Sequence, residues 1–111
     1  MAFTGNYSCN TLRSGLADGT INFSTGVFKL ALYNNTATLN ASTQAYTSIG
    51  EATGGNYVAG GQTVTATIGT ESNSAGSTTY INFSSPSWTG SITARGALIY
   101  QSGGGNPAVC V

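Results

Sequence analysis

From Phe28 to Tyr33 the chain alternates: Phe28, Leu30 and Leu32 fall on one face of an extended segment, and Lys29, Ala31 and Tyr33 fall on the other. That period of two predicts a half-buried strand. A second alternation runs from Gln62 to Ile68, with Val64, Ala66 and Ile68 opposite a row of threonines, and a third from Thr79 to Phe83 sets Ile81 and Phe83 against Tyr80 and Asn82. Ser85-Pro86-Ser87 ends that ladder, because proline has no amide hydrogen and restricts the residue before it; Trp88 lies just beyond. The last third predicts a hairpin, Ile92 to Tyr100 and Pro107 to Val111, joined by a glycine-rich loop from Ser102 to Asn106. Gly96 inside its first arm marks a bulge or a close backbone approach.

Between these segments turn chemistry prevails. Asn34 to Asn40 is polar, Leu39 to Tyr46 suits a short helical turn or a loop, and glycines at 54, 55, 60 and 61 bracket a short extended piece at Tyr57 and Val58. Glu71 to Ser77 has no apolar residue larger than Ala75 and predicts a solvent loop or hairpin tip. The best helical candidate is Thr11 to Asp18, where Leu12 and Leu16 are four apart and Gly15 and Gly19 keep it short. Neither a repeat nor a dividing linker is evident. The pattern therefore predicts one all-β domain over residues 1–111, an antiparallel β-sandwich or partly open barrel with a minor short helix near the N-terminus. Residues 1–25 would be an N-terminal arm plus first strand, and 26–111 the β core.

Glycine, serine, threonine and asparagine dominate the composition, which would suit a disordered chain, but eleven aromatics (six Tyr, four Phe, one Trp) and many β-branched residues argue for a folded one. Charge narrows function further. Three basic and three acidic residues with no histidine leave little to serve as acid, base or transition-metal ligand, so neither an enzyme nor a cofactor or metal site is expected. Zero net charge removes the basic footprint that nucleic acid or an anionic membrane would require. The start, Met-Ala-Phe-Thr-Gly-Asn-Tyr, lacks a basic stretch followed by an apolar run, which suggests synthesis in a cytoplasm without export by the general route.

A few residues invite a closer look. Cys9 and Cys110 are a candidate disulfide that would close a loop of about 100 residues, worth up to ~4 to 5 kcal/mol, against two reduced thiols in a cytoplasmic setting. The Asn-x-Ser/Thr triplets are what chance yields in this composition, and Gly103 to Gly105 lacks the lysine and helix of a phosphate loop. Trp88 and the tyrosines could stack on a sugar or base, though a core or subunit contact suits them better without a basic groove. Arg95, between Ala94 and Gly96 in an apolar strand, suggests a half-buried fork on backbone carbonyls or Glu51, stitching strand ends or subunits together; the lesser alternative is a ligand-binding arginine.

Three passages then carry a resemblance: Phe28-Lys29-Leu30-Ala31-Leu32-Tyr33 with Ala37 to Thr43; Tyr57-Val58-Ala59-Gly60-Gly61-Gln62-Thr63-Val64; and Ile81-Asn82-Phe83, Trp88-Thr89, Ile92 to Tyr100 and Pro107 to Val111. In order and spacing, residues 26 to 111 resemble a group of small virion proteins of tailed bacteriophages. The resemblance implies a structural role in the virion, foremost a capsid decoration or cement protein stabilising contacts between major capsid protein subunits, with self-association as a homotrimer. An adhesive or carbohydrate-binding module of a head or tail fibre, or a tail or head-to-tail connector component, is the alternative. Relatives run on past the position of Val111, so an open edge at Val109-Cys110-Val111, completed by a neighbouring subunit, is expected. Phe3, Tyr7, Trp88, Arg95, Val109 and Val111 are the candidate interface residues.

Overall fold

The computed structural model describes residues 5–111. Its element order is α1 (Asn10–Asp18), β1 (Val27–Tyr33), β2 (Gln62–Val64), β3 (Ala66–Asn73), β4 (Gly76–Phe83), β5 (Gly96–Ser102) and β6 (Ala108–Cys110). Strands β2-β1-β5-β6 form one antiparallel sheet and β3-β4 a second, two-stranded one. The domain is all-β with one short helix near its N-terminus.

β1 is central rather than half-buried. It pairs with β2 on one side and along its whole length with β5 on the other, and both of its faces are covered. Ala31 and Tyr33 join Leu98, Tyr100, Ala108 and Cys9 in one core layer, capped by Ala37 and Leu39 from the long connection between β1 and β2. Phe28 joins Val64, Val109 and Ile21 in a second layer on the opposite face. The face carrying Lys29, expected to be wet, is the more deeply buried because that connection folds across it.

Three aromatic rings organise the second layer. Phe23 stacks on Phe28 with centroids 5.1 Å apart, and Phe83 meets both edge-on at 6.1 and 5.8 Å. Edge-on packing sets the ring's positive rim against its neighbour's electron-rich face, and each such pair adds ~0.5–1.5 kcal/mol beyond area burial. Phe83 ends β4, so the trio fastens the base of the β3-β4 hairpin to the body. Beyond that base the hairpin projects: every residue from Thr70 to Tyr80 is exposed, and the molecule is 46 Å long against 27 Å in its other dimensions. The segment from Glu71 to Ser77 is therefore mostly strand, with a turn only at Ser74 and Ala75, and the alternation from Gln62 breaks at Thr65 where the chain leaves the sheet. Tyr57 and Val58 lie among turns instead of in an extended piece, and Ile92 to Arg95 precede β5 rather than extend it. The bulge sits at Val109, opposite Ile99 and Tyr100, and not at Gly96.

The expected open edge at the C-terminus is closed within the chain. Tyr7 and Val111 exchange both backbone hydrogen bonds at 2.8 Å, Cys9 N–H donates to Val109 O at 2.8 Å, and Ala108 N–H donates to Gln44 O at 2.9 Å. β6 thus has partners on both sides, and no neighbour is needed to complete it.

This same pairing brings Cys9 and Cys110 to neighbouring strands without joining them: both are free thiols. Cys9 packs in the Tyr33 layer, whereas Cys110 packs against the Phe28 layer across the sheet. Sulfurs on opposite faces cannot meet the geometry of a disulfide without breaking the strand pairing. Burial first, then the nearby Cys110, pushes the Cys9 thiol up to about 11, and burial raises Cys110 as well. Thiol reagents at pH 8 should therefore leave the native protein largely unlabelled and modify both cysteines once it is denatured; an intact mass lighter by two hydrogens without reductant would contradict this.

Candidate functional site

Four of the chain's tyrosines converge on its most enclosed carboxylate. Tyr33 ends β1 and Tyr100 lies in β5, while Tyr46, Glu51 and Tyr57 come from the connection between β1 and β2. That connection is laid against the end of β1: Asn34 N–H donates to Gly50 O at 2.9 Å, and Ala52 N–H donates to Leu32 O at 2.8 Å. Those bonds aim Glu51 inward beside Tyr33.

Tyr46 Oη–H donates to Glu51 Oε1 at 2.6 Å, and Tyr57 Oη–H and Gly60 N–H donate to Oε2 at 2.5 and 2.7 Å. The Tyr57 oxygen also accepts the Leu32 N–H at 3.0 Å, which bolts the loop to β1. Tyr100 donates to Gly60 O at 2.7 Å, Tyr33 donates to Thr47 O at 2.6 Å, and the Tyr46 and Tyr100 rings lie 4.9 Å apart. Such charge-assisted bonds are about twice as strong as neutral ones. Burial, and secondarily the Glu51 charge, hold Tyr46, Tyr57 and Tyr100 above the usual tyrosine range; burial is also the main cause for Tyr33.

With three donors converging on one carboxylate and each of the four hydroxyls already donating, the arrangement is a clasp holding residues 46–60 against the sheet. Among the described residues no three of His, Cys, Asp and Glu gather as a metal ion would require, and no helix is long and apolar enough to cross a membrane.

The projecting hairpin is the second locus. One of its faces carries Ala66, Ile68, Thr70 and Ser72 opposite Phe83, Ile81, Thr79 and Ser77. Ile68 is 49% exposed although Ile81 stands opposite it. On the other face the Tyr80 ring lies across Gly69, where any side chain would collide with it. The hairpin's sole charge is Glu71.

The candidate residues picked out by sequence fall differently from expectation. Arg95 is exposed at the bend before β5, with its backbone N–H donating to Tyr33 O at 2.6 Å, and the Glu51 carboxylate is engaged by Tyr46 and Tyr57. Trp88 is half-buried on Tyr57, centroids 5.6 Å apart. Val109 is buried, and Val111 is half-buried, packing on the first core layer beside Tyr7. Phe3 lies outside the described residues. The tyrosine clasp went unread, although Tyr46 and Tyr57 flank Glu51 closely in sequence and a half-buried phenol calls for a partner.

Comparison of the chain with protein-family models, with curated proteins and with solved structures yields no match.

Proposed function

We propose that this chain is a structural protein of a tailed-phage virion, a decoration or cement protein seated across contacts between major capsid protein subunits. The observation that carries the proposal is the hairpin arm: it stands clear of a well-packed body, exposes Ile68 and Tyr80, and holds one charge along its length. An element with a single charge, packed into the core only at its base through Ala66 and Phe83, suits a permanent contact, since charged residues are depleted at the centre of interfaces. Sparse charge and the resemblance in residues 26 to 111 support the same reading. The adhesive-module alternative is weaker, because Tyr57 has its hydroxyl committed to Glu51 and its ring packed against Trp88.

A reconstruction of particles carrying this protein tests the proposal. Copies repeating across the shell lattice are expected, with the arm against the capsid surface. A handful of copies at one vertex would instead make it a tail or connector component, and none would overturn the virion reading. A variant with residues 67–82 replaced by a tight turn should fold normally, because the core lies elsewhere, and should fail to bind particles that lack the protein.

A further inference from the structure

Unpaired strand edges are where β proteins join, and among the described residues the longest stand in one place. The β6 edge is closed by residues 7–9 and by Gln44. β2 is three residues long, and the segment from Ser84 to Ser87 runs beside it, with Ser84 N–H donating to Thr65 O at 2.9 Å and the Gln62 amide donating to Ser87 O. The arm differs. Its two strands pair with each other in eight-residue register and leave their outer flanks open.

The Ser84 to Thr65 bond settles which groups point outward. Bonded and non-bonded pairs alternate in an antiparallel ladder, so Thr67/Asn82, Gly69/Tyr80 and Glu71/Thr78 bond inward. Ser77, Thr79 and Ile81 then turn their N–H and C=O groups away from β3. Natural edges are guarded by lysine, proline, bulges or covering loops. Gly76–Phe83 contains no charged residue and no proline, whereas the β3 flank at least carries Glu71.

We infer that β4 is a self-pairing edge, along which two copies of the chain join antiparallel across a two-fold axis near Thr79, giving a four-stranded ribbon β3-β4-β4-β3. Any strand can meet its own copy in this way, and with the axis at Thr79 that residue faces its counterpart while Ser77 faces Ile81. Every residue so matched has its free backbone groups pointing at the partner. No charge is desolvated, and a chain of zero net charge does not repel its copy. A charged partner would find nothing on this strand to recognise. The axis stands normal to the ribbon, so Ile68 and Ile81 of both copies lie on one side.

An edge of eight residues is roughly 27 Å long, and sharing it buries less than the ~1,200 Å² of a standard stable interface. The pair should accordingly be concentration-dependent in solution. It is a two-fold pair, which replaces the three-fold symmetry expected from sequence, and it stands whether or not the chain belongs to a virion.

Sedimentation equilibrium of the whole chain from about 10 μM to 1 mM, a range that brackets micromolar to sub-millimolar dissociation constants, tests the inference. The mass should climb from 11.2 kDa toward twice that value. Thr79→Pro deletes an outward N–H that serves no bond inside the hairpin, and Ser77→Lys keeps the N–H but adds a guard charge. Both variants should stay monomeric at every concentration with circular dichroism unchanged. In the wild type, amide exchange at Thr79 and Ile81 should slow as concentration rises. A monomer throughout, a three-fold mass, or a dimer that survives both variants overturns the inference and leaves the virion proposal standing; absence from particles does the reverse.

Discussion

Titrated upward from pH 9, the protein unfolds in one cooperative step, and most of its tyrosinate absorbance appears in that step. The cause is the clasp. Tyr33, Tyr46, Tyr57 and Tyr100 are all held above the ordinary tyrosine value of about 10, chiefly by burial, and for Tyr46, Tyr57 and Tyr100 next by Glu51. Ionising any of them in place would remove a hydroxyl donor and set a second negative charge beside that carboxylate. In the unfolded chain they ionise normally. Above pH 10 the folded state therefore binds more protons than the unfolded one, and stability falls with rising pH. It is fully present below pH 10 and drains as pH climbs toward the raised folded values. Tyr33, fully buried, by itself gives a slope of up to about 1.4 kcal/mol per pH unit while it stays protonated in the folded state; Tyr46, Tyr57 and Tyr100 add to it in the same direction. Against a total stability of ~5–10 kcal/mol, that drain should unfold the protein at alkaline pH. Absorbance that rises smoothly from pH 10 while the β-sheet circular dichroism stays constant would contradict this.

The clasp and the arm also mark where sequence patterns are informative. Phe28, Leu30 and Leu32 announce a strand correctly, because alternation is a local consequence of the pleat. What lies above Lys29, Ala31 and Tyr33 is not local: the covering layer is built from turns, and Ala37, Leu39 and Ala52 are buried there at positions with no period. A period-based reading sees strands and is blind to a folded loop acting as a wall. Closure of β6 has the same character, since Tyr7 and Val111 meet across nearly the full chain and neither strand's pattern can announce it.

The arm is legible only in part, as two strands with a solvent loop or hairpin tip between them, for the opposite reason. Burial writes alternation into a strand, and from Glu71 to Ser77 nothing is buried, so serine, asparagine and glycine look like a loop. The remaining trace was the abundance of β-branched threonine on both sides of the turn. Glu51 was legible in principle: a lone carboxylate between tyrosines five residues before it and six after it can be reached by both only if the loop curls, and the glycines at 54, 55, 60 and 61 permit that.

Gly61→Ala is expected to unfold the protein or bring it close to unfolding, with a loss on the order of 3 to 5 kcal/mol. Gly61 precedes β2, has φ +82°, and its added methyl would lie 2.6 Å from the Leu30 carbonyl carbon and 2.8 Å from Ala31 Cα. The left-handed backbone alone costs an L-residue about 1 to 2 kcal/mol. The larger part is the collision, because the obstacle is main chain of the central strand. β1 cannot yield: β5 holds it along its whole length on one side, and Phe28 and Tyr33 anchor it in the two core layers. The alternative is for β2 to peel away, which would break the Leu30 to Gln62 register and move Gly60 away from Glu51 and Tyr100, loosening the clasp as well. Gly104→Ala separates the two costs, since Gly104 has φ +61° in the β5-β6 loop with nothing within 4 Å of the added methyl. Urea denaturation should show Gly104→Ala losing only the backbone share, about 1 kcal/mol, and Gly61→Ala losing several times more; equal losses would mean that β1 can move aside.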